Sequence, residues 1–284
     1  MNVSIIPNLT RKNAAAVTLS LTRALDRIGV GYSLPAALRE AFPTLDVARF
    51  KEDDALYGDC EVVMPVGGDG SVIRAAKTAV LYGKLILGVN AGNLAYLCGV
   101  DPTEMTLLEA LNTGQYTVQE RMLLETRAIL PNGTEQKNLC INDVAFCRGG
   151  RIGMIDLAVS ANGKPIADYV ADGVIIATPT GSTAYSMSAG GPIVEPTLQA
   201  ILMTPICPHA LEFRPYIFDP GTEFVIRARK RDGSPAVCYT CDGDVTLPLD
   251  PETAVIVRRS SYSAKFISIT NDNFIDILNK KIRN

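Results

Sequence analysis

Glu61-Val62-Val63-Met64-Pro65-Val66-Gly67-Gly68-Asp69-Gly70-Ser71-Val72-Ile73-Arg74-Ala75-Ala76 changes its periodicity half-way along. The nearly continuous apolar run at its start predicts a buried strand. A glycine loop follows, and Val72, Ile73, Ala76 and Val80 then recur at helical spacing. Strand, loop and helix in that order are the repeating unit of a doubly wound α/β layer. Outward from this stretch, Val3 to Ile6 reads as another short strand. Asn8 or Thr10 is placed to cap a helix presenting Val17, Leu21, Leu25 and Ile28, which stops at Gly29. Lys84 to Val89 reads as a third strand, and a helix with Leu107, Leu108 and Leu111 inward ends at Gly114.

The loop itself carries chemistry. A strand ending in Gly67-Gly68-Asp69-Gly70-Ser71 and passing into a helix aims unpaired N–H groups and partial positive charge at whatever sits before it, so a phosphate fits there. Glycine allows that ligand to approach the backbone. Asp69 is the odd member. A carboxylate in an anion cradle repels phosphate, so it calls for a metal ion, a hydroxyl proton to accept, or both. The plain alternative is a tight turn in which Asp69 and Ser71 merely cap the helix. The loop is neither G-x-G-x-x-G nor a P-loop.

From about Tyr116 to Ile269 the pattern changes to short alternating runs, among them Glu125 to Leu130, Ile155 to Val159, Glu223 to Arg229, Ala254 to Arg258 and Lys265 to Ile269. Turn signals at Pro131-Asn132-Gly133, Ala161-Asn162-Gly163 and Asp232-Gly233 separate them, so this half should be mainly β. Phe274, Ile275, Leu278 and Ile282 then return to helical spacing. The expected division is an α/β domain over residues 1–101, a mainly β domain over 102–269 and a C-terminal helix over 270–284. Asp172 to Pro196 breaks the alternation with a turn rich in glycine, serine and threonine before a predicted helix, which marks a site.

Composition narrows the function. With 284 residues, 47% hydrophobic and 20% charged, the chain has the balance of a folded globular protein. A net charge of -3, with both signs spread along the chain, gives no footprint for nucleic acid or for an anionic membrane. No apolar run approaches the roughly 20 residues of a membrane span, and no signal peptide opens the sequence, so a cytoplasmic location is expected. Seven cysteines read as reduced thiols. Cys238 and Cys241 form a C-x-x-C, but on a strand they point to opposite faces, and no second pair completes a zinc site. His209 is the single histidine and there is no G-x-S-x-G elbow, which argues against a hydrolase.

The stretch Asp172-Gly173-Val174-Ile175-Ile176-Ala177-Thr178-Pro179-Thr180-Gly181-Ser182-Thr183-Ala184-Tyr185-Ser186-Met187-Ser188-Ala189-Gly190-Gly191 brings an apolar strand into small hydroxyl residues and then a tyrosine able to wall a pocket for a flat ring. It resembles the DG-x4-TPTGSTAY-x-x-S-x-GG signature of the NAD kinases. Gly88 to Leu97, Asn142-Asp143, Cys207 to Leu211 and Cys241-Asp242-Gly243 resemble further segments of that family in the same order. The GGDG loop alone is shared with diacylglycerol- and sphingosine-type lipid kinases and, more loosely, with phosphofructokinases, so a lipid or sugar kinase is the rival enzyme. A non-catalytic nucleotide-binding regulator is the rival of another class.

The family resemblance implies an α/β N-terminal domain, a mainly β C-terminal domain with the nucleotide pocket between them, and a last helix packed back on the first domain. It implies transfer of a phosphoryl group from Mg-ATP, with polyphosphate as an alternative donor, to NAD, and a homodimer or homotetramer. Carried over by position, Asp69 orients and deprotonates the 2′-hydroxyl of the adenosine ribose, and Gly67, Gly68 and Ser71 form the phosphate loop. Gly70 and Arg74 hold substrate; Asn142, Asp143, Thr183 and Ala184 line the adenosine pocket; Asp172, Tyr185 and Ser188 extend toward nicotinamide. Asn93, His209 and Asp244 are further candidates, and no metal ligands are named. Val170, Gly153 and Asp244 stand where many relatives have arginine, histidine or arginine, and glutamine. That loss of donors implies weak preference for the phosphorylated product.

Overall fold

The computed structural model describes residues 1–284 apart from 93, 94, 131, 151, 211, 230–234, 252, 271, 272, 283 and 284. Two compact units divide the chain, one made of Met1–Glu120 and Ala264–Asn284, the other of Arg121–Ser263. The break thus falls at Glu120 instead of the expected Asp101. Leu108 and Leu111 explain the shift, because they are buried in the same core as Ile5, Leu21 and Met64. The segment with Ala264, Phe266 and Ile267 also counts with the first unit, so its second boundary lies within the last strand and not after it.

In the first unit, strands β1 (Asn2–Pro7), β2 (Gly31–Pro35), β3 (Phe50–Lys51), β4 (Val62–Gly67), β5 (Leu85–Ile86), β6 (Gly88–Asn90) and β7 (Cys98–Val100) alternate with helices α1 (Ala14–Arg27), α2 (Asp53–Gly58), α3 (Asp69–Leu81) and α4 (Glu109–Thr113). The pairings β1·β2, β1·β4, β2·β3, β4·β5, β4·β6 and β6·β7 are all parallel. Every residue of β4 is buried, as a parallel strand covered on both faces requires. In α1, Val17, Leu21, Ala24 and Leu25 form the buried stripe. Burying each of its larger aliphatic side chains contributes roughly 2 kcal/mol. The single strand expected over Lys84 to Val89 is two short ones. Both lie on β4, but β5 continues to Lys265–Phe266 while β6 continues to β7, and that change of neighbour separates them.

The second unit holds β8 (Thr117–Ile129, from Arg121), β9 (Glu135–Cys140), β10 (Asp143–Gly149), β11 (Ile155–Ala161), β12 (Lys164–Ala171), β13 (Gly173–Ala177), α5 (Tyr185–Ser188), β14 (Ile201–Ile206), β15 (Tyr216–Phe218), β16 (Phe224–Arg229), β17 (Ala236–Cys241), β18 (Val245–Pro248) and β19 (Ala254–Ser268, to Ser263). One antiparallel sheet runs β15-β14-β13-β10-β17-β18. Its inner face, with Val144, Phe146, Val174, Ile176, Met203 and Tyr239, packs on Leu157, Tyr169, Phe224, Ile226 and Val257 from β11, β12, β16 and β19. The result is a sandwich core. Its outer face carries Ala145, Ile175, Ala177, Leu202 and Ile206, closed over by Val194. Being covered on both sides, β13 is entirely buried and therefore reads as Gly-Val-Ile-Ile-Ala instead of alternating.

Two local expectations need correction. Neither Asn8 nor Thr10 caps α1, which starts after Asn13 without a side-chain cap. Asn8 instead accepts from Thr10 and donates to Ser71 Oγ at 2.8 Å. The helix expected after the hydroxyl-rich turn is only a 3-10 turn, Thr180–Thr183, and the four residues of α5, because Gly190 and Gly191 follow at once. α6 (Phe274–Ile282) completes the chain, its start fixed by the reciprocal pair Asn273 and Asp276 at 3.0 Å each way. Among the described residues no helix is long and apolar enough to cross a membrane. The turn signals at Pro131 and Asp232-Gly233 lie outside the described residues.

Candidate active site

β4 delivers Gly67 and Gly68 to the start of α3, where the carbonyl of Gly68 accepts from the amides of Ser71 and Val72. Gly68 is thus the cap residue, and no side chain caps the helix. Asp69 is free for other work: its two carboxylate oxygens accept the backbone N–H groups of Tyr96 and Leu97 at 2.9 and 2.8 Å. The plain capping reading of Asp69 fails on that geometry. The carboxylate is partly exposed and fixed in direction, and each oxygen keeps a lone pair for another donor. Burial pushes the Tyr96 phenol up, and the Asp69 charge adds to it. Ser71 is buried with its hydroxyl on Asn8, so it braces the loop from beneath. A Cβ on Gly67 would lie 2.4 Å from Ser71 Oγ, which is why this brace needs glycine. Gly70 and Arg74 are exposed along α3.

In the second unit the hydroxyl-rich turn sorts into two sides. Thr178 Oγ1 donates to Ile141 O at 2.6 Å and accepts from Gly181 N. Ser182 Oγ bridges both backbone groups of Val194, and Ser186 Oγ meets Thr204 Oγ1 at 2.9 Å. These buried hydroxyls are scaffold. Thr183 and Ala184 are partly exposed, while Tyr185 and Ser188 are exposed, so the predicted contact residues share the outward side. At 44% exposure Tyr185 is no core tyrosine. Burial, then Cys147 and the charges of Asp143 and Asp172, raise its phenol. Thr180 Oγ1 is buried with no hydrogen-bond partner among the described residues. Gly181 passes so close to the next segment that a Cβ there would sit 2.1 Å from Asn142 O.

Asn142 and Asp143 are held by a residue the sequence reading did not single out. Asp242, at φ 53°, accepts from Ile141 N, Asn142 N and Asp143 N at 3.0, 2.7 and 3.1 Å, and its own amide donates to Asp143 O. Asp172, just before β13, pairs with Arg148 of β10. The remaining candidates are scattered. His209 and Asp244 are exposed, with the His209 amide on Val170 O and the Asp244 amide on Cys241 O. Asn93 lies outside the described residues. Cys241 is buried in the sandwich core and Cys238 lies on the opposite face of its strand. Among the described residues no three acidic, histidine or cysteine side chains gather to hold a metal.

Both motif-bearing halves match models of one family. Residues 7–116 match the ATP-NAD kinase N-terminal domain, and residues 141–269 its C-terminal domain. This chain belongs to the ATP-NAD kinase family. The NAD kinase of Thermoanaerobacter sp. is 35% identical over 285 residues, 99% of this chain and 98% of that protein. That of Desulforamulus reducens is 35% identical over 229 residues, 80% and 79% of the two chains. Among solved structures, yeast NADH kinase complexed with NADH superposes with a TM-score of 0.87 at 25% identity, covering 99% of this chain and 86% of that one. An NAD kinase from Archaeoglobus fulgidus shares the fold with a TM-score of 0.72 at 23% identity, covering 98% and 96%. The N-terminal family match ends at residue 116, close to the structural break at Glu120.

Proposed function

We propose that this chain transfers the γ-phosphoryl group of Mg-ATP to the 2′-hydroxyl of the adenosine ribose of NAD, giving NADP, with Asp69 as the general base. Membership of the ATP-NAD kinase family supports the reaction. The observation that carries the residue assignment is the Asp69 carboxylate, clamped by two amides at the mouth of the glycine loop and not spent on capping its helix. Phosphoryl transfer of this type needs positioning and charge neutralisation more than covalent chemistry. The amides fix the base, the ribose hydroxyl gives its proton to a remaining lone pair, and the oxygen bonds to phosphorus as ADP leaves. Mg²⁺ bound to the ATP phosphates would offset their charge, and Asp69 is the carboxylate of the loop that would meet it.

On this reading Gly67, Gly68 and Ser71 form the donor-phosphate loop, with Gly70 and Arg74 holding substrate. Asn142, Asp143, Thr183 and Ala184 meet adenosine, while Asp172, Tyr185 and Ser188 reach toward nicotinamide. A cytoplasmic homo-oligomer is the accompanying proposal, and polyphosphate is a second candidate donor. Val170 in place of a basic residue predicts equal binding of NAD and NADP, which calorimetry would compare. Assay of the purified chain with ATP and NAD, NADH or diacylglycerol tests the main reading. Phosphorylation of diacylglycerol in preference to NAD would defeat it, as would binding of NAD without any turnover.

A further inference from the structure

Cys147 and Cys238 are directly opposed across the antiparallel pair β10·β17. Their side chains leave the same face of the sheet, the one that α5 approaches, because Phe146 and Tyr239 beside them point into the sandwich core. Both are partly exposed, whereas Cys60, Cys140 and Cys241 are buried. The Cys238 thiol leans across the ladder and donates to Cys147 O at 3.5 Å. Opposed residues in such a ladder have Cα atoms about 4.5–5.5 Å apart, within the roughly 4.4–6.8 Å that a disulfide spans. Cys147 packs on the same outer-face cluster as Ala189, the residue after α5, and its charge, after burial, raises the Tyr185 phenol, so the pair lies beside the outward side of the hydroxyl-rich turn.

We infer that Cys147 and Cys238 form a reversible cross-strand disulfide, made by exchange with a low-molecular-weight disulfide, and that its formation shifts the turn that carries Tyr185. Cys147 attacks first. Burial raises both thiols, and at Cys147 the charges of Cys238 and Asp143 add to it while Tyr185 and Arg148 oppose it; what separates the two is that the Cys238 thiol is held in its protonated form by the carbonyl it donates to. The Cys147 thiolate bonds to one sulfur of the small disulfide and expels the other half, which takes up the proton as a thiol. Cys238, losing its own proton, then attacks Cys147 Sγ and displaces the second half as a second thiol. Two protein thiols are oxidised and one small disulfide is reduced to two thiols. The consequence for binding rests on the assignment of Tyr185 to the dinucleotide site; the cross-link does not.

The full chain is incubated with oxidised glutathione, digested without reduction and read by mass spectrometry. The expected product is a peptide pair joined through Cys147 and Cys238 that dithiothreitol separates, with two of the seven thiols lost. Cys238→Ser should accumulate glutathione on Cys147, and Cys147→Ser should leave Cys238 largely unmodified. Oxidised wild-type chain should show a KM for NAD raised several-fold with kcat within twofold. A cross-link between other cysteines, or glutathione on Cys147 that Cys238 never displaces, overturns the pair. A linked chain with unchanged KM overturns the shift of the Tyr185 turn. Because the mass readout is independent of turnover, failure of the kinase assignment leaves the cross-link testable by itself.

Discussion

Asp69 of the first unit and Asp242 of the second do the same thing with opposite visibility. Each carboxylate gathers backbone amides from a distant segment, two from Tyr96 and Leu97 in one case and three from Ile141, Asn142 and Asp143 in the other. Asp69 stands among glycines at a helix start, where a carboxylate looks out of place. Asp242 sits in a tight turn, where an aspartate looks ordinary. The difference lies in what remains for chemistry. Asp69 keeps a lone pair on each oxygen beside the glycine loop, whereas Asp242 is spent on shaping the strand that carries two candidate contact residues. On the proposed reading the conspicuous carboxylate is the reactive one, while its inconspicuous counterpart shapes a surface for the substrate.

Substitution can break that contrast. Asp69→Asn should lower kcat by about 10²–10⁴-fold, the usual contribution of a general base, and cost only about 1 kcal/mol of stability. Turnover within tenfold of wild type would remove Asp69 as the base. Gly181→Ala, whose Cβ would meet Asn142 O at 2.1 Å, should destabilise the second unit by about 3 kcal/mol or more. An unchanged thermal midpoint would show that the turn yields freely. Asp242→Asn keeps a residue tolerant of positive φ and removes the charge, so it should cost about 2 kcal/mol in urea unfolding and raise the KM for NAD more than it lowers kcat. If its kinetic signature matched that of Asp69→Asn, the two roles would have to be merged.

The smallest effect separates the Asp242 clamp from the strand that carries it. Tyr239 and Tyr169 are buried, their hydroxyls lack partners among the described residues, and burial pushes both phenols up to about 12. With the folded value above the unfolded one, the contribution is complete below pH 10. It is lost as pH rises toward 12, because the unfolded chain gives up the proton first. Each tyrosine should therefore remove on the order of 2 kcal/mol between those limits. Tyr239→Phe should flatten half of that alkaline slope and leave stability at pH 8 equal or about 1 kcal/mol higher. A Phe variant with the wild-type slope would place the titration elsewhere.

The sequence was legible where its period was strong. Glu61 to Val80 announced strand, loop and helix, and β1, α1 and α3 follow from spacing alone. Legibility failed where partners lie far along the chain. Asn8 looked like a helix cap because Ser71, its actual partner, is 63 residues away. Asp242 takes amides from 99 to 101 residues earlier, and no local pattern encodes that. The faint signal was an aspartate before Gly243 in a turn, read only as part of a family segment. The domain edge was misplaced at Asp101 because a proline there looks like a boundary, whereas the burial of Leu108 and Leu111 decides it.

The first unit is made of two separated pieces of chain, and that has a consequence for synthesis. β5 has β4 on one side, but its other neighbour, Lys265–Phe266, is synthesised only after the whole of the second unit. At about 5–20 residues per second the nascent sheet waits on the order of ten to thirty seconds with that edge unpaired. An open parallel edge is a template for the wrong strand. The second unit is translated entirely within this interval, so chaperone demand should peak before Lys265–Phe266 emerges and fall once that pair closes the gap.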